Sequence, residues 1–454
     1  MNSEVAALGP NEELRAGWKS LRIKYLLREV DNRTATGTEP LLSLRQGKGL
    51  VLHNDVSNKR FGTEDLLGYK IVRPGQLVMN RMRASIGLFA ASRTHGLVSP
   101  DYAVFSPIRP VNLAYLVYLF QTPAMGVMFR VQSRGMGTGS SGFLRLYTDR
   151  FSEISIAIPS VEEQGHIVNY LRVAELKIAR FIRNKRRLIE LLKEQKQNII
   201  NQAVTRGLDP NVKLKPSGVE WIGDIPAHWE LRRLKHLCRN VNRQTSEKTS
   251  DEVYVALEYV EAWTGRMSFP NEDVSFDSQV KRFEAGDVLF GKLRPYLAKV
   301  TKPNVCGVCV GEFLVLRPSL ERVSGEYLEQ KLRSRDVINV INRSTFGAKM
   351  PRADWTFIGN LKIAYPPKNE QQEILRHIQE QSVQIDETIT RAEREIELIR
   401  EYRTRLISDV VTGQVDVRGI EVPEVTEAEL QALDDAPGED EELVDDEATA
   451  EVAQ

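Results

Sequence analysis

Two short strings in the sequence carry residue types found in ligand sites. Residues 137–142 read GTGSSG, but the Lys-Ser/Thr ending of phosphate-binding loops is missing, so a flexible loop is favoured over a nucleotide site. Cys306 and Cys309 have the spacing of a zinc knuckle. No second Cys or His pair stands nearby and the run is apolar, so we interpret both as buried strand thiols.

Strings typical of DNA-modifying and DNA-cleaving enzymes are incomplete or lie in unsuitable elements. An adenine methyltransferase needs an Asn/Asp-Pro-Pro-aromatic loop, and the nearest string, YPPK at residues 365–368, lacks that pattern. Restriction-type nucleases hold a metal ion with Asp and Glu-x-Lys on neighbouring strands. Glu-x-Lys begins at Glu175, Glu194 and Glu329, each time within a predicted helix. We therefore expect no catalytic residue and no metal site in this chain.

Basic residues recur at equivalent places in two parts of the chain. The string Asn80-Arg81-Met82-Arg83 follows a predicted strand, and Gly291-Lys292-Leu293-Arg294 stands 211 residues further on (291 − 80 = 211). Two polar loops supply further candidates. Arg and Lys reach phosphates or guanine edges, and Ser contacts phosphate oxygens. The predicted DNA-binding residues are Asn80, Arg81, Arg83, Arg134, Ser140, Ser141, Arg145, Lys292, Arg294, Arg343, Lys349 and Arg352. Solvated loop charge remains the alternative for any single one of them.

The net charge of zero hides a division between the body and the tail. Residues 421–454 hold 14 acidic residues and no Lys or Arg, so residues 1–420 hold 62 basic and 48 acidic residues (62 − 14 = 48). A basic body suits a polyanionic partner because neutralised phosphates release counterions. Scattered surface lysines are an equal explanation from charge alone. The tail, with low hydrophobicity and high charge, is predicted to be disordered.

Two stretches of the chain have apolar residues at heptad spacing, and we expect the elements that they form to position the candidate binding residues. From Glu163-Gln164 and again from Glu370-Gln371, apolar residues recur mainly in steps of 3, 4 and 7. This pattern predicts two long helices that bury their apolar stripes against each other. The predicted coiled-coil core is Ile167, Leu171, Ile178, Leu192, Ile199, Ile374, Ile378, Ile385, Ile399 and Leu406. In the first helix the stripe also runs through Ala174, Phe181 and Leu188, and Lys185 and Gln195 interrupt it.

The two helices are copies of one element, and the repeat extends beyond them. A shift of 207 residues carries Ile167 onto Ile374 (374 − 167 = 207), and a shift of 211 carries Trp18 onto Trp229 (229 − 18 = 211). Two half-chains, each a globular segment followed by a long helix, indicate an internal duplication with pseudo-twofold symmetry. Short strands alternate with helices predicted over 113–130 and 327–342. The change in shift indicates an insertion or deletion in the loop region before the long helix.

No apolar run approaches the 18 residues of a transmembrane helix, and the N-terminus lacks a basic-then-apolar signal pattern. Three cysteines are too few for a disulfide framework. We expect a cytoplasmic protein with no membrane contact.

The layout resembles the specificity (S) subunit of type I restriction-modification systems over roughly residues 15–416. The resemblance is carried by the two-half plan, by the Pro-x-x-x-Glu-Gln helix start at 159–164 with its shorter echo at 367–371, and by the string KPSGVEWIGDIPAHW at 215–229. It implies an α/β (α+β) fold with two globular target-recognition domains, separated by an antiparallel coiled coil of two long helices. The implied organisation is a first target-recognition domain at 1–160, the central helix at 161–209, a linker at 210–228, a second target-recognition domain at 229–366, the C-terminal helix at 367–416 and the acidic tail at 417–454.

The resemblance also implies function and partners. In such a subunit each domain reads one half of a bipartite, asymmetric site in double-stranded DNA, and the coiled coil sets the spacer. The chain itself needs no cofactor and is not an enzyme. S-adenosylmethionine belongs to two adenine-N6 modification (M) subunits that dock on it, whereas ATP and Mg belong to restriction (R) subunits. The alternative interpretation is a coiled-coil scaffold that binds protein partners.

Overall fold

The computed structural model describes residues 17–136, 143–268, 279–347 and 349–423. The predicted loop at 137–142 and residues 424–454 of the predicted acidic tail lie outside these ranges. The chain divides into two compact units. The first unit comprises residues 1–185 and 394–454, and the second comprises residues 186–393.

The first unit is a mixed α/β domain followed by a long helix. Its strands are β1 (Lys19–Arg22), β2 (Leu27–Val30), β3 (Leu42–Arg45), β4 (Gly49–Leu52), β5 (Lys70–Val72), β6 (Leu77–Asn80), β7 (Phe89–Ala91), β8 (Gly96–Val98), β9 (Tyr102–Pro107), β10 (Arg134–Met136), β11 (Phe143–Arg145) and β12 (Ser155–Ile158). Its helices are α1 (His53–Val56), α2 (Leu113–Phe120), α3 (Pro123–Gln132), α4 (Thr148–Glu153) and α5 (Val161–Arg206), the last of which continues into the second unit.

The second unit repeats this plan. Its strands are β13 (Leu214–Pro216), β14 (Asp224–Pro226), β15 (Glu230–Arg233), β16 (Cys238–Val241), β17 (Gln244–Thr245), β18 (Val253–Val255), β19 (Val280–Phe283), β20 (Val288–Gly291), β21 (Val300–Thr301), β22 (Gly307–Val310), β23 (Phe313–Pro318) and β24 (Lys362–Tyr365). Its helices are α6 (Gly325–Leu332), α7 (Arg335–Arg343), α8 (Trp355–Ile358) and α9 (Lys368–Val411), and α9 ends in the first unit.

The same four-stranded antiparallel sheet lies in each unit. The strand order is β2-β9-β6-β7 in the first unit and β16-β23-β20-β21 in the second. A two-stranded ribbon accompanies each sheet, β1 with β12 and β15 with β24. The central strands β6 and β20 start 211 residues apart (288 − 77 = 211), as the sequence repeat predicts. The strands β17, β19, β22 and β18 form a further sheet in the second unit, where β18 and β22 run parallel.

The C-terminal end of a long helix is buried in the core of each unit. In the first unit Val410 and Val411 of α9 pack with Tyr115 and Phe120 of α2. The Tyr115 hydroxyl donates a hydrogen bond to the Val411 carbonyl at 2.9 Å. Because the last carbonyls of a helix have no partner within the helix, this buried hydroxyl satisfies one of them. Burial raises the pKa of Tyr115, which keeps the hydroxyl protonated as a donor.

The second unit contains the equivalent anchor. The Tyr327 hydroxyl donates to the Val204 carbonyl at the end of α5 at 3.3 Å. Lys331, which is buried one turn further along α6, donates to the same carbonyl at 2.7 Å. Burial lowers the pKa of Lys331 to about 8 because the charged ammonium is removed from water. A leucine, Leu119, occupies the corresponding place in the first unit, so the cation is particular to the second half.

The start of each long helix is fixed by a second repeated contact. The Trp18 indole donates to Glu163 at 3.2 Å, and the Trp229 indole donates to Glu370 at 3.0 Å. Ser160 caps the start of α5, since its hydroxyl accepts a hydrogen bond from the Glu163 amide at 3.2 Å. The recurring Glu-Gln pair thus joins each long helix to the domain that precedes it in the chain.

Within each unit, segments of α5 and α9 run antiparallel. In the first unit Arg403 pairs with Glu175 at 2.8 Å and Lys185 pairs with Glu395. In the second unit Lys196 pairs with Asp386 at 2.7 Å. These cations stand among apolar seam positions, so each needs its carboxylate partner, and the pairs specify the register of the two helices.

Most of the predicted coiled-coil core is buried, but the middle of the predicted seam is displaced by one residue. Ile167, Leu171, Ile178, Ile374, Ile378 and Ile385 are buried, and Leu192, Ile199, Ile399 and Leu406 are partly buried. In α5 the buried positions are Ile182 and Ile189, whereas Phe181 and Leu188 are each 38% exposed. The prediction of Phe181 and Leu188 as seam residues was therefore wrong. The seam continues through Lys185, whose charge is compensated by Glu395, so its polarity does not mark a break in the stripe.

Two further sequence expectations need revision. Each predicted mid-domain helix is two helices, because Thr122 caps a new helix that starts at Pro123 and a second break falls at Ser334. The predicted linker at 210–228 contains the hairpin of β13 and β14, and Ile225 within it is buried in the core of the second unit.

No helix in the described ranges combines the length and the hydrophobicity that a bilayer crossing requires.

We predict that Tyr115→Phe lowers the free energy of unfolding by about 1–2 kcal/mol, because the buried Val411 carbonyl loses its donor. Tyr327→Phe should have a smaller effect, because Lys331 still donates to the Val204 carbonyl. Urea unfolding followed by circular dichroism measures the change. Tyr25→Phe is the matched control, since Tyr25 is 45% exposed. Midpoint shifts no larger than that of the control would contradict the anchoring role.

We predict that Lys331 makes the second unit more stable as the pH rises above about 8. The unfolded lysine titrates near 10.4, so between these values the unfolded chain binds more protons and the free energy of unfolding increases with pH. The full difference is about 3 kcal/mol. Below pH 8 both states are protonated and the cost of burying the charge is fully present.

The measurement for Lys331 is the urea midpoint of the wild-type chain and of Lys331→Met between pH 7 and pH 10. The difference between the two chains removes the contribution of other groups that titrate in this range. A pH slope that is identical in the two chains would show that Lys331 is not buried as a cation.

Candidate nucleic-acid interface

The structure brings the two candidate segments together in each unit. In the first unit the turn after β6 lies against the segment after β11, where the Leu146 amide donates to the Arg81 carbonyl at 2.9 Å. In the second unit the Ala353 amide donates to the Lys292 carbonyl at 2.9 Å. Arg81 and Lys292 are equivalent in the repeat, as are Leu146 and Ala353. The junction of turn and loop is therefore a repeated feature of the fold, which we call the turn–loop junction.

Asn80 has a structural role in the first junction. Its side chain is 8% exposed, and its carbonyl oxygen accepts hydrogen bonds from the amides of Met82 at 3.0 Å and Arg83 at 3.2 Å. This is the behaviour of an Asn that stabilises a turn through its own backbone. The second unit has Gly291 at the equivalent place. An Asn at the end of a predicted strand is a signal from which this role could have been inferred.

Arg81 is held in an internal ion-pair cluster. Its guanidinium lies 2.6 Å from Glu29, with 17% of the side chain exposed. Glu29 also accepts from Thr148 and lies 3.4 Å from the ammonium of Lys70, which is only 2% exposed. The Lys70 ammonium donates in addition to the Tyr102 carbonyl at 2.8 Å. Arg81 therefore fixes the turn to the sheet, and sequence reasoning missed Glu29 because its partners are distant along the chain.

Arg83 is the cation that the first turn presents. It is partly exposed, and its guanidinium makes no hydrogen bond or ion pair with another described residue. The turn that carries it is held by Asn80 and Arg81. A rigid turn with an unengaged guanidinium can donate to a phosphate or to a base edge.

The remaining candidates of the first unit lie on the hairpin of β10 and β11. Arg134 pairs across this ribbon with Arg145. Arg134 is exposed and lies 3.4 Å from Asp149, whereas Arg145 is fixed by an ion pair with Asp101 and lies over the ring of Tyr147 at 5.8 Å. Ser140 and Ser141 lie between these strands, outside the described residues.

The second junction presents Arg294 from a strained turn. Arg294 is exposed and has a φ of +49°, and its amide donates to the Pro351 carbonyl at 2.8 Å. Ala298 has a φ of +47°, and Trp263, with a φ of +64°, donates from its amide to the Leu297 carbonyl at 3.1 Å. Left-handed conformations of non-glycine residues each cost about 1–3 kcal/mol and occur preferentially at functional sites. Among the described residues, three non-glycine residues have a left-handed conformation. Two of them, Arg294 and Ala298, lie in this turn, and the third, Trp263, lies in the segment that contacts it.

The loop before α8 completes the second junction. Arg343 and Lys349 are exposed, and Lys292 is partly buried. Arg352 is engaged with Glu312 at 3.1 Å, and this carboxylate raises the pKa of the guanidinium. The backbone of Arg352 pairs on one side with Leu293 and on the other with Phe346, which fixes the loop to the turn.

The two junctions differ in the length of their loops. Fifteen residues, 133–147, connect α3 to α4, whereas eleven residues, 344–354, connect α7 to α8. The insertion or deletion indicated by the sequence repeat therefore falls within the candidate interface, and the frame of strands around it is unchanged. Two surfaces of this kind share a scaffold and differ in the residues that they present.

The arrangement is suited to binding. Of the predicted residues, Arg83, Arg134, Arg294, Arg343 and Lys349 are accessible cations, and Asn80, Arg81, Arg145 and Arg352 have internal partners. In the described ranges no group of three or more His, Cys, Asp or Glu residues is placed to hold a metal ion. All three Glu-x-Lys strings lie in helices, as predicted.

The interpretation of the two cysteines was half right. Cys309 is buried in β22, and burial raises the pKa of its thiol to about 12. Cys306, which precedes the strand, is exposed, so its prediction as a buried strand thiol was wrong. The strand begins at Gly307, and side chains before a strand are free of the packing that buries its interior.

Comparison with known proteins identifies relatives of this chain. No family model matches it. It is 23% identical over 330 residues to the type I restriction enzyme MjaVIII specificity subunit of Methanocaldococcus jannaschii, an alignment that covers 67% of this chain and 71% of that protein. It is 21% identical over 248 residues to the type I restriction enzyme EcoDI specificity subunit of Escherichia coli, covering 50% of this chain and 55% of that protein. The chain thus matches little more than half the length of the EcoDI subunit.

A solved structure has the same fold. It is described as the structural basis of complex assembly and conformational transition of the type I R-M system, and it matches 89% of this chain and 100% of its own with a TM-score of 0.60 at 14% sequence identity. The predicted fold class, with mixed α/β domains and two long helices, is confirmed. The resemblance to type I specificity subunits is confirmed by the two relatives.

Proposed function

We propose that this chain, which is a relative of type I restriction enzyme specificity subunits, is the DNA sequence-specificity subunit of a type I restriction-modification complex. Each unit reads one half of a bipartite, asymmetric site. The observation that carries the proposal is the repeated turn–loop junction, which presents Arg83 in one unit and Arg294 in the other from the turns that follow equivalent strands.

The difference between the junctions explains why the site is asymmetric. Direct readout depends on which donors, acceptors and apolar groups reach the base edges. The first junction has a 15-residue loop with Arg134 at its base, and the second has an 11-residue loop with Arg343 and Lys349 exposed. Equivalent positions with different side chains select different base sequences.

The long helices are the elements that fix the spacer in this proposal. α5 has 46 residues and α9 has 44. At about 1.5 Å per residue each is roughly 66–69 Å long, while ten base pairs of B-DNA rise about 34 Å. A stiff connection of this kind holds the number of intervening base pairs constant, whereas a flexible linker tolerates several spacings.

Catalysis is assigned to partner subunits. Two modification subunits dock on the chain, bind S-adenosylmethionine and transfer its methyl group to adenine, and restriction subunits use ATP and Mg. This chain contributes DNA recognition. The exposed arginine and lysine side chains of its two junctions bind phosphates and bases, and they take no part in the methyl-transfer or cleavage reactions. We further propose that the chain is not itself an enzyme and works in the cytoplasm.

The experiment that tests the proposal is base-resolution mapping of N6-methyladenine in cells that produce this chain together with its modification subunit. The expected result is a bipartite motif with a constant gap that is lost when this chain is omitted. The control is the same modification subunit produced with a different specificity subunit, which must give methylation. If that control is active but methylation is the same with and without this chain, the proposal is contradicted and a scaffold that binds protein partners is favoured.

We predict that Arg83→Ala and Arg294→Ala change opposite halves of the motif. Loss of a guanidinium that donates to a base edge relaxes discrimination at that position by about 5- to 150-fold, corresponding to about 1–3 kcal/mol per base contact. The same methylation mapping is the measurement, and each variant serves as the control for the other half-site.

Arg109→Ala is the matched control for a loss of surface charge. Arg109 is exposed beyond the end of β9 at Pro107, whereas the first junction lies at the opposite end of that strand, where Tyr102 pairs with Asn80. Its removal is expected to leave both half-sites unchanged. Equal weakening of both half-sites by Arg83→Ala would contradict base reading by that residue.

A further inference from the structure

Two apolar side chains are exposed in the loop of the second turn–loop junction. Phe346 is 63% exposed and Met350 is 46% exposed. A phenylalanine that is moved from water into a core stabilises a fold by about 1.5–3 kcal/mol, and Phe346 contributes little of this. Folding therefore does not explain why an aromatic residue stands at this position.

The backbone that carries Phe346 is fixed. The Phe346 amide donates to the Arg352 carbonyl at 3.1 Å, and the Arg352 amide donates back to the Phe346 carbonyl at 3.0 Å. Arg352 pairs in turn with Leu293 of the strained turn. Residues paired directly across such a ladder lie about 4.5–5.5 Å apart at Cα. The Phe346 ring thus extends from a short ladder that is anchored to the turn carrying Arg294.

The surroundings of these apolar groups are basic. Arg294, Arg343 and Lys349 are exposed, and Arg294 is joined to the loop through the Pro351 carbonyl. The nearby carboxylates are engaged: Glu312 binds Arg352, and Asp354 caps α8 by accepting from the Thr356 amide at 2.6 Å. The centre of a protein–protein interface is usually depleted of charged residues. Apolar groups that are surrounded by cations are better suited to binding nucleic acid, whose phosphates the cations neutralise.

We propose that Phe346 and Met350 are specificity-determining residues that make apolar contact with the bases of the half-site read by the second unit, an inference that rests on the proposed function. Apolar side chains discriminate bases by contact with the thymine methyl group in the major groove or by insertion at a base step. The exposed cations bind the flanking phosphates and hold the duplex against the two side chains. The ladder holds the backbone of Phe346 against the turn before DNA binds.

The experiment is methylation mapping with Phe346→Ala, Met350→Ala and Phe346→Leu, each produced with the modification subunit. The half-site of the second unit is the one changed by Arg294→Ala. We expect Phe346→Ala to relax base preference by about tenfold at one or more positions of that half-site, in line with the cost of a mismatched base pair. Met350→Ala should have a smaller effect in the same half-site. Phe346→Leu, which keeps an apolar contact, should retain most of the preference.

Leu320→Ala is the matched control, because Leu320 is 68% exposed and follows β23, whereas the second junction lies beside the start of that strand at Phe313. It should leave the motif unchanged. An unchanged motif in Phe346→Ala would overturn the inference. A second contradicting result would be a fall in the overall level of methylation in both Phe346→Ala and Phe346→Leu, with the base preference of each variant unchanged. If the wild-type chain directs no bipartite methylation, the proposed function itself fails. A bipartite motif that ignores Phe346 and Met350 rejects only the further inference.

Discussion

The whole arrangement depends on the burial of a long-helix C-terminus in the core of each unit. A helix end has carbonyls without intrahelical partners, and burying them is costly unless donors are supplied. Tyr115 supplies one to Val411, and Tyr327 with Lys331 supplies two to Val204. These contacts join segments that are nearly 300 residues apart in the first unit. Each unit is therefore completed only when a distant part of the chain has folded onto it.

Within that frame, charge is used in two ways. Several buried and half-buried charges are paired with an opposite charge: Glu29 with Arg81 and Lys70, and Asp386 with Lys196. Such pairs specify position because an unpaired charge in a low-dielectric region is strongly unfavourable. Arg83 and Arg294 are not engaged by other described side chains and remain available to a polyanion. The internal pairs thus make the turns rigid, and the turns present the cations that the proposed function requires.

The duplication separates what is held constant from what varies. The sheets, the tryptophan–glutamate contacts and the tyrosine anchors recur in both units. The loops before α4 and α8 differ in length, and the strained turn with Arg294 has no left-handed counterpart at Arg83, where φ is −115°. A binding surface can change its specificity in this way because loops carry little of the packing energy that holds the domain together.

The sequence by itself determined the duplication and the two long helices, because these depend on local periodicity and on comparison of the chain with itself. It also identified the segments that form the junctions. The tertiary structure decided which candidate residues are accessible. Arg81 and Arg83 are two positions apart and chemically identical, yet Glu29 engages only the first. The same holds for the seam of α5, where Lys185 lies between Ile182 and Ile189 because Glu395 faces it. No local pattern records such partners, since they are brought together only by folding.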